Sequence, residues 1–135
     1  KFESASTNII AVAGLNAALV NLNQKEHLAY EQELTSYLIE KLSLIKGIKL
    51  YLPSSTEKHV GIVSFTLDDM NSEDVGIILD EDFNIAVRTG YHCAPYIHKY
   101  LRDERFLGTI RVGLSQFTTK SDIDQLIDAL EEIKE

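Results

Sequence analysis

The 135-residue sequence has no tryptophan. It is also poor in residues that constrain a chain covalently or conformationally, with one cysteine and two prolines. One cysteine excludes a disulfide within the chain, and we expect the reducing cytoplasm as its compartment. No apolar run approaches the length of a membrane span, and the N-terminus lacks the basic-then-apolar pattern of a signal peptide. No Pro/Gly-rich stretch resembles a linker, so we predict a single domain.

Basic residues are also scarce, with 13 Lys and Arg against 21 Asp and Glu. This balance argues against a nucleic-acid binder, because neutralising phosphates requires clustered basic side chains. The sequence begins at Lys1 rather than at a methionine. We therefore interpret it as a piece of a larger protein.

Helical periodicity dominates the first third of the chain. Asn8 is a plausible N-cap for a helix over 9–21, which is rich in Ala and Leu. A second helix is predicted over 24–46, with Gly47 at its C-terminal end. Its apolar positions recur at three- and four-residue spacing: Leu34, Leu38, Leu42 and Ile45.

The remaining chain alternates strand and helix patterns. Four short segments are predicted as strands: 48–52, 59–67, 85–88 and 109–114. A short helix is predicted to open at 71–73. Thr119 and Asp122 resemble a capping box for a last helix that runs to Ile133. Together these patterns predict an α+β two-layer sandwich, with a small, mostly antiparallel sheet and helices on one face.

The segment over 87–101, VRTGYHCAPYIHKYL, departs from these patterns. It contains the only cysteine, Cys93, in a predicted irregular loop near Arg88 and His92. A thiolate is the reactive form of cysteine, and nearby positive charge favours it. The alternative is that Cys93 is a small buried apolar residue. Both interpretations remain open on the residue pattern alone.

Metal binding by His92, Cys93 and His98 is a third interpretation of this segment. A structural zinc site needs four ligands, and the sequence offers no second Cys/His pair at a suitable spacing. We therefore predict no metal site.

Two features elsewhere suggest anion binding. Arg111 falls inside an apolar strand, where its guanidinium could pair with a substrate carboxylate or form an ordinary structural ion pair. The cluster Ser6, Thr7 and Asn8 precedes a helix, where it could bind phosphate or simply cap the helix. The sequence leaves both alternatives open.

Three segments, in this order, resemble the class V aminotransferase family, and within it the cysteine desulfurases and selenocysteine lyases. FESASTNIIAVAGLNAAL is similar to the family stretch that follows the cofactor lysine. VRTGYHCAP resembles the Arg-Thr-Gly-x-His-Cys-Ala segment that holds the sulfur-accepting cysteine. TIRVGLSQFTTKSDIDQLIDAL resembles the closing strand and helix of the family. The cysteine segment is specific to desulfurases, whereas the other two are shared with other class V enzymes.

The resemblance implies that the chain, 1–135, is the C-terminal small domain of a fold-type I enzyme that uses pyridoxal 5'-phosphate. Cys93 would attack the sulfur of a cysteine–cofactor adduct and become a persulfide while L-cysteine becomes L-alanine. Arg111 would bind the substrate carboxylate, and Arg88 would assist beside the active-site loop. Ser6 would reach the cofactor phosphate of the neighbouring subunit in a homodimer, and His92 would support the loop.

The sequence departs from the family pattern in its first turn, where Ala5, Ser6 and Thr7 stand for the family's glycine, threonine and proline. The cofactor's Schiff-base lysine and the large domain are absent. The dipeptide His98–Lys99 resembles the family's His-Lys at the cofactor, but it follows the cysteine, so we interpret it as a coincidental match. We expect catalysis by the whole protein, with sulfur passed to a thiol-bearing acceptor protein for iron–sulfur cluster or thiolated-cofactor assembly. The 135-residue piece alone is expected to be inactive.

Two alternatives stand beside the desulfurase. One is another class V enzyme, such as an aminotransferase, an epimerase or a selenocysteine lyase. The other is a non-catalytic dimerisation or partner-binding module that retains only the architecture. The enzymes differ in whether they need Cys93, and the module needs none of the site residues.

Overall fold

The chain's structure, a computed structural model, describes residues 6–22, 24–55 and 59–134. The elements in chain order are the helices α1 (Ile9–Val20) and α2 (Gln24–Leu44), the strands β1 (Ile48–Tyr51) and β2 (Ile62–Leu67), the helices α3 (Ser72–Phe83) and α4 (Pro95–Leu101), a 3-10 helix (Glu104–Phe106), the strand β3 (Ile110–Gly113) and the helix α5 (Lys120–Ile133). The predicted α+β class is confirmed.

The three strands form an antiparallel sheet in the order β1-β2-β3. A short segment continues the sheet beyond β3, because Arg88 and Arg111 exchange backbone hydrogen bonds of 3.1 and 2.7 Å, as Gly90 and Thr109 do at 3.1 and 3.2 Å. The predicted regular strand over 85–88 is therefore wrong. Ile85 follows the end of α3 and its amide still donates to the Leu79 carbonyl, so pairing with the sheet begins only at Arg88.

The core lies between the sheet and helices α2, α3 and α5. The predicted stripe of α2 is confirmed, since Leu34, Leu38 and Leu42 are fully buried. On β2, Val63 and Phe65 are also fully buried, as the two-residue period of a strand requires. The predicted face of α5 is buried except at its last position: Ile123, Leu126, Ile127 and Leu130 are buried and Ile133 is partly buried.

Two predicted boundaries shift by two residues or more. Helix α2 ends at Leu44 rather than at residue 46, because the amides of Ile45 and Ile48 donate to carbonyls three residues back and tighten the chain into a turn. Gly47 supplies the positive φ of 88° in that turn. Strand β2 begins at Ile62 rather than at residue 59.

The predicted helix caps are confirmed at both ends of the chain. The Asn8 side chain accepts a 3.0 Å hydrogen bond from the Ala11 amide, and Thr119 and Asp122 form the capping box of α5. Unlike α5, helix α1 is exposed along its whole length, including large apolar residues such as Ile10. Among the described residues, no helix is both long and apolar enough to cross a membrane.

Helix α4 and the 3-10 helix replace the irregular loop that the sequence predicted after Cys93. Pro95 occupies the first turn of α4, which its fixed φ favours. The helix has no side-chain cap and only seven residues, so the usual sequence signals of a helix are missing. Its single buried residue is His98.

Candidate functional site around Cys93

Cys93 lies on a tight turn between the sheet and α4. The Ala94 amide donates to the Tyr91 carbonyl at 2.8 Å, and the two residues inside the turn, His92 and Cys93, have positive φ values of 51° and 61°. Non-glycine residues in this region each cost about 1–3 kcal/mol, so the surrounding structure must hold the turn. Cys93 is a free thiol and exposed, which excludes the interpretation as a buried apolar residue.

Arg88 is the residue that the structure brings to the thiol. Its Nη2 atom lies 3.5 Å from Cys93 Sγ. Because Arg88 pairs with Arg111 across the sheet edge, the backbone of both arginines is fixed relative to the turn. A guanidinium at this distance stabilises a thiolate on Sγ.

Arg111 is half-buried in β3. Within the described part of the chain, no carboxylate forms an ion pair with it. The structural ion pair that the sequence left open therefore has no partner among these residues. A half-buried guanidinium without a carboxylate can accept one from a ligand in a bidentate geometry.

The His92 ring contacts Thr109, the residue that precedes β3. Its Nε2 lies 2.9 Å from Thr109 Oγ1 and 3.1 Å from the Thr109 carbonyl oxygen, so this nitrogen carries the hydrogen. Burial and then the charge of Arg111 lower the pKa of His92 below its usual value, with a smaller contribution from Arg88. His92 is therefore neutral at neutral pH, and the positive charge next to Cys93 comes from Arg88.

A buried polar pair lies beneath the turn. His98 is 3% exposed and Asp103 is 0% exposed, and His98 Nδ1 lies 3.1 and 3.0 Å from the two carboxylate oxygens. His98 Nε2 lies 3.2 Å from the Tyr91 carbonyl oxygen. Sequence reasoning missed this role of His98, because the helix that carries it was not predicted.

Two further residues hold the turn from the other side. The buried Ser72 hydroxyl accepts a 3.2 Å hydrogen bond from the Gly90 amide and donates to the Leu107 carbonyl. At Gly108, a Cβ atom would lie 2.2 Å from the Gly90 carbonyl oxygen, and φ is 97°. The sequence indicates Ser72 only as part of a helix start, and no signal in a single sequence marks its contact with Gly90.

No group of three metal-binding side chains occurs among residues 6–22, 24–55 and 59–134. The three residues considered for a metal are separated by their contacts, since Cys93 faces Arg88, His92 faces Thr109 and His98 is paired with Asp103.

Ser6 is the predicted site residue that the structure does not bring to the others. It is exposed in the non-helical segment ahead of α1. Ala5, the neighbouring departure from the family pattern, lies outside the described residues. The structure thus brings Cys93, Arg88, Arg111 and His92 to one edge of the sheet and leaves Ser6 apart.

Comparison with known proteins identifies the family of the chain. The sequence profile described as aminotransferase class-V matches residues 1–126. A probable cysteine desulfurase of Staphylococcus aureus is 38% identical over 138 residues, covering 100% of this chain and 32% of the relative. One from Halalkalibacterium halodurans is 37% identical with the same coverage. The chain therefore spans about a third of the length of these curated relatives.

Solved structures resemble the chain over almost its whole length. The apo cysteine desulfurase of Thermococcus onnurineus has a TM-score of 0.84 at 28% identity, covering 98% of this chain and 32% of that one. The Escherichia coli cysteine desulfurase CsdA has a TM-score of 0.77 at 23% identity, covering 96% and 31%, and this likeness shows the fold alone. With its fold, its cysteine turn and its sequence profile in agreement, the chain belongs to the aminotransferase class-V family.

Proposed function

We propose that residues 1–135 are the C-terminal small domain of a pyridoxal-phosphate-dependent cysteine desulfurase, with Cys93 as the sulfur acceptor. One observation carries the proposal: the only cysteine is exposed on a strained turn, with a guanidinium nitrogen 3.5 Å from its sulfur. The probable cysteine desulfurases that match all of this chain support the same activity.

The reaction converts L-cysteine to L-alanine and leaves a persulfide on Cys93. The Cys93 thiolate attacks the substrate sulfur, so that an S–S bond forms and the substrate C–S bond breaks. The electron pair of the C–S bond stays with the carbon, which takes up a proton to become the methyl group of alanine. Arg88 stabilises the attacking thiolate, and an external thiol later removes the terminal sulfur.

Arg111 binds the substrate α-carboxylate in this proposal, with Arg88 assisting. Its lack of an ion-pair partner among the described residues leaves the guanidinium available for that contact. Because β3 holds the Arg111 backbone against Arg88, a carboxylate bound there is positioned near Cys93.

The cofactor contact from this chain is the Ser6 hydroxyl. The residue is exposed just before the capped start of α1, which suits contact with a phosphate of a neighbouring subunit. When bound, pyridoxal phosphate supplies the electron sink for the reaction. A homodimer follows from this role of Ser6, and the exposed apolar residues of α1 are consistent with burial in such an assembly.

We further place the protein in the cytoplasm, a reducing compartment in which an exposed free thiol persists. The persulfide then passes to a thiol-bearing acceptor protein, with iron–sulfur cluster assembly as the expected destination. An exposed turn suits such a transfer, because the acceptor thiol must reach the terminal sulfur in line with the S–S bond.

The test uses the full-length protein with pyridoxal phosphate, L-cysteine and a thiol reductant. We expect equal amounts of alanine and sulfide from the unmodified protein and neither from Cys93→Ala. Cys93→Ser provides a matched control, because it keeps the polarity but is a poor sulfur nucleophile, and it is also expected to be inactive. Sulfide production by Cys93→Ala at the unmodified rate would remove Cys93 from the reaction. Cofactor absorbance without sulfide from either protein would instead favour another class V enzyme, such as an aminotransferase or an epimerase.

A further inference from the structure

We infer that His98 and Asp103 are positioning residues that hold the Cys93 turn in the geometry required for sulfur transfer. The inference rests on the proposed function, since it assigns His98 a role in placing the attacking sulfur. His98 does not contact Cys93 itself. It acts through Tyr91, the residue that opens the turn.

The hydrogen bonds of His98 join two polar groups on either side of its ring. Nδ1 faces the Asp103 carboxylate and Nε2 faces the Tyr91 carbonyl, and both partners are acceptors only. The ring satisfies both contacts when each nitrogen carries a hydrogen. A carboxyl group as buried as that of Asp103 needs a hydrogen-bonded partner, and the His98 ring supplies one.

The pair of His98 and Asp103 connects α4 to the turn through the Tyr91 carbonyl oxygen. This oxygen accepts one hydrogen bond from the Ala94 amide, which closes the turn, and a second from Nε2 of His98. The Tyr91 ring also packs edge-on against the His98 ring, with centroids 5.1 Å apart. His98 therefore holds Tyr91 both at its backbone carbonyl and at its side-chain ring.

The consequence concerns the orientation of the nucleophile. His92 and Cys93 have positive φ, a conformation that non-glycine residues keep only when neighbouring contacts enforce it. If His98 no longer holds Tyr91, the turn is free to relax toward ordinary φ values. Relaxation would carry Sγ away from Arg88, although Arg111 would remain on its strand.

The experiment compares His98→Gln with Lys99→Gln in the full-length protein loaded with pyridoxal phosphate. Lys99 is exposed on the same helix, so it controls for a change in α4 that leaves the pair intact. We expect His98→Gln to lower kcat for sulfide release by about 10- to 100-fold, the cost of a small misplacement of a reacting atom. KM for L-cysteine should stay within about twofold, because carboxylate binding is separate from the turn.

A second readout follows the turn without catalysis. Hydrogen–deuterium exchange on the millisecond scale, resolved for the peptide that contains the Ala94 amide, should accelerate about tenfold in His98→Gln. A peptide from β2 should exchange as in the unmodified protein, which shows that the fold is intact. If the unmodified protein releases no sulfide, the proposed function fails, and this exchange measurement decides the inference by itself.

Asp103→Asn provides the second variant, since it keeps the size of the side chain and removes its charge. We expect changes in the same direction as for His98→Gln, but smaller, because the amide oxygen can still accept from Nδ1. This variant decides the inference if His98→Gln does not fold. Unchanged kcat together with unchanged exchange of the Ala94 peptide, in whichever variant folds, would overturn it.

Discussion

The sheet-and-helix body and the Cys93 turn are stabilised by different physical means. In the body, fully buried apolar residues such as Leu38 and Phe65 pack without directional requirements. Beneath the turn, the buried groups are Ser72, His98 and Asp103, whose hydrogen bonds depend on particular atoms. Apolar burial tolerates changes of shape, whereas a partly satisfied polar network loses most of its value. The reactive residue therefore lies where the structure depends on the directions of individual hydrogen bonds.

The largest expected effect breaks the body. Phe65→Ala removes a fully buried ring from the centre of β2 and should lower the free energy of unfolding by about 3–5 kcal/mol. Urea unfolding of the protein, followed by circular dichroism, measures the change. Phe65→Leu is the control, and its loss should be clearly smaller because it keeps most of the apolar volume. Equal losses for both variants would mean that packing at this position does not govern the body.

The next largest loss of stability is expected where Gly108 packs against Gly90 beside the turn. Gly108→Ala places a methyl group against the Gly90 carbonyl at a φ of 97°, and should cost about 2 kcal/mol or more. Gly113→Ala is a matched control, since no atom lies within 4 Å of the added Cβ and its φ is not in the positive region. Urea unfolding compares the stability of the two variants, and iodoacetamide labelling compares the reactivity of Cys93. Equal behaviour of the two variants would contradict the close packing of Gly90 on Gly108.

The same comparison explains which parts of the molecule the sequence could predict. The stripes of α2 and α5 and the capping box of Thr119 follow periodic or local rules that a single sequence displays. The pairing of residues 88–90 with the segment 109–111 depends on where α3 ends. The burial of His98 depends on its contact with Asp103, which lies beyond the end of α4. These are contacts between segments, which no local pattern contains.

The candidate site shows the same division. Cys93 and Arg88 lie five residues apart and could be associated from the sequence, and their 3.5 Å contact agrees with that prediction. Ser72 reaches Gly90 from 18 residues away, and Thr109 reaches His92 from 17. Serine and threonine at these positions fit ordinary helix-start and strand roles, so no local pattern connects them with the turn.

A smaller effect tests whether a directional bond in the body matters as much as one beneath the turn. Thr119→Ala removes the exposed cap of α5 and should lower the free energy of unfolding by about 1 kcal/mol. Thr119→Ser keeps the cap hydroxyl and should be close to the unmodified protein. Cys93 labelling should be unaffected in both variants, because the cap is remote in sequence and has no hydrogen bond to the turn. A change in labelling would show that body and turn are coupled.

The smallest effect is a pH dependence from His92. Burial and Arg111 lower its pKa in the folded chain, so between that value and the ordinary value of about 6.5 the unfolded chain binds a proton that the folded chain does not. Stability therefore rises with pH through this window and is lost as pH falls below about 6.5. His92→Gln removes the titrating group but keeps a donor for Thr109, so the difference between the urea midpoints of the two proteins should narrow on going from pH 8 to pH 5.5.

His27, a half-buried histidine on α2, provides the control. His27→Gln should show the same pH dependence of stability through His92 as the unmodified protein. A constant difference for His92→Gln across this range would mean that burial and the arginines do not lower the pKa of His92.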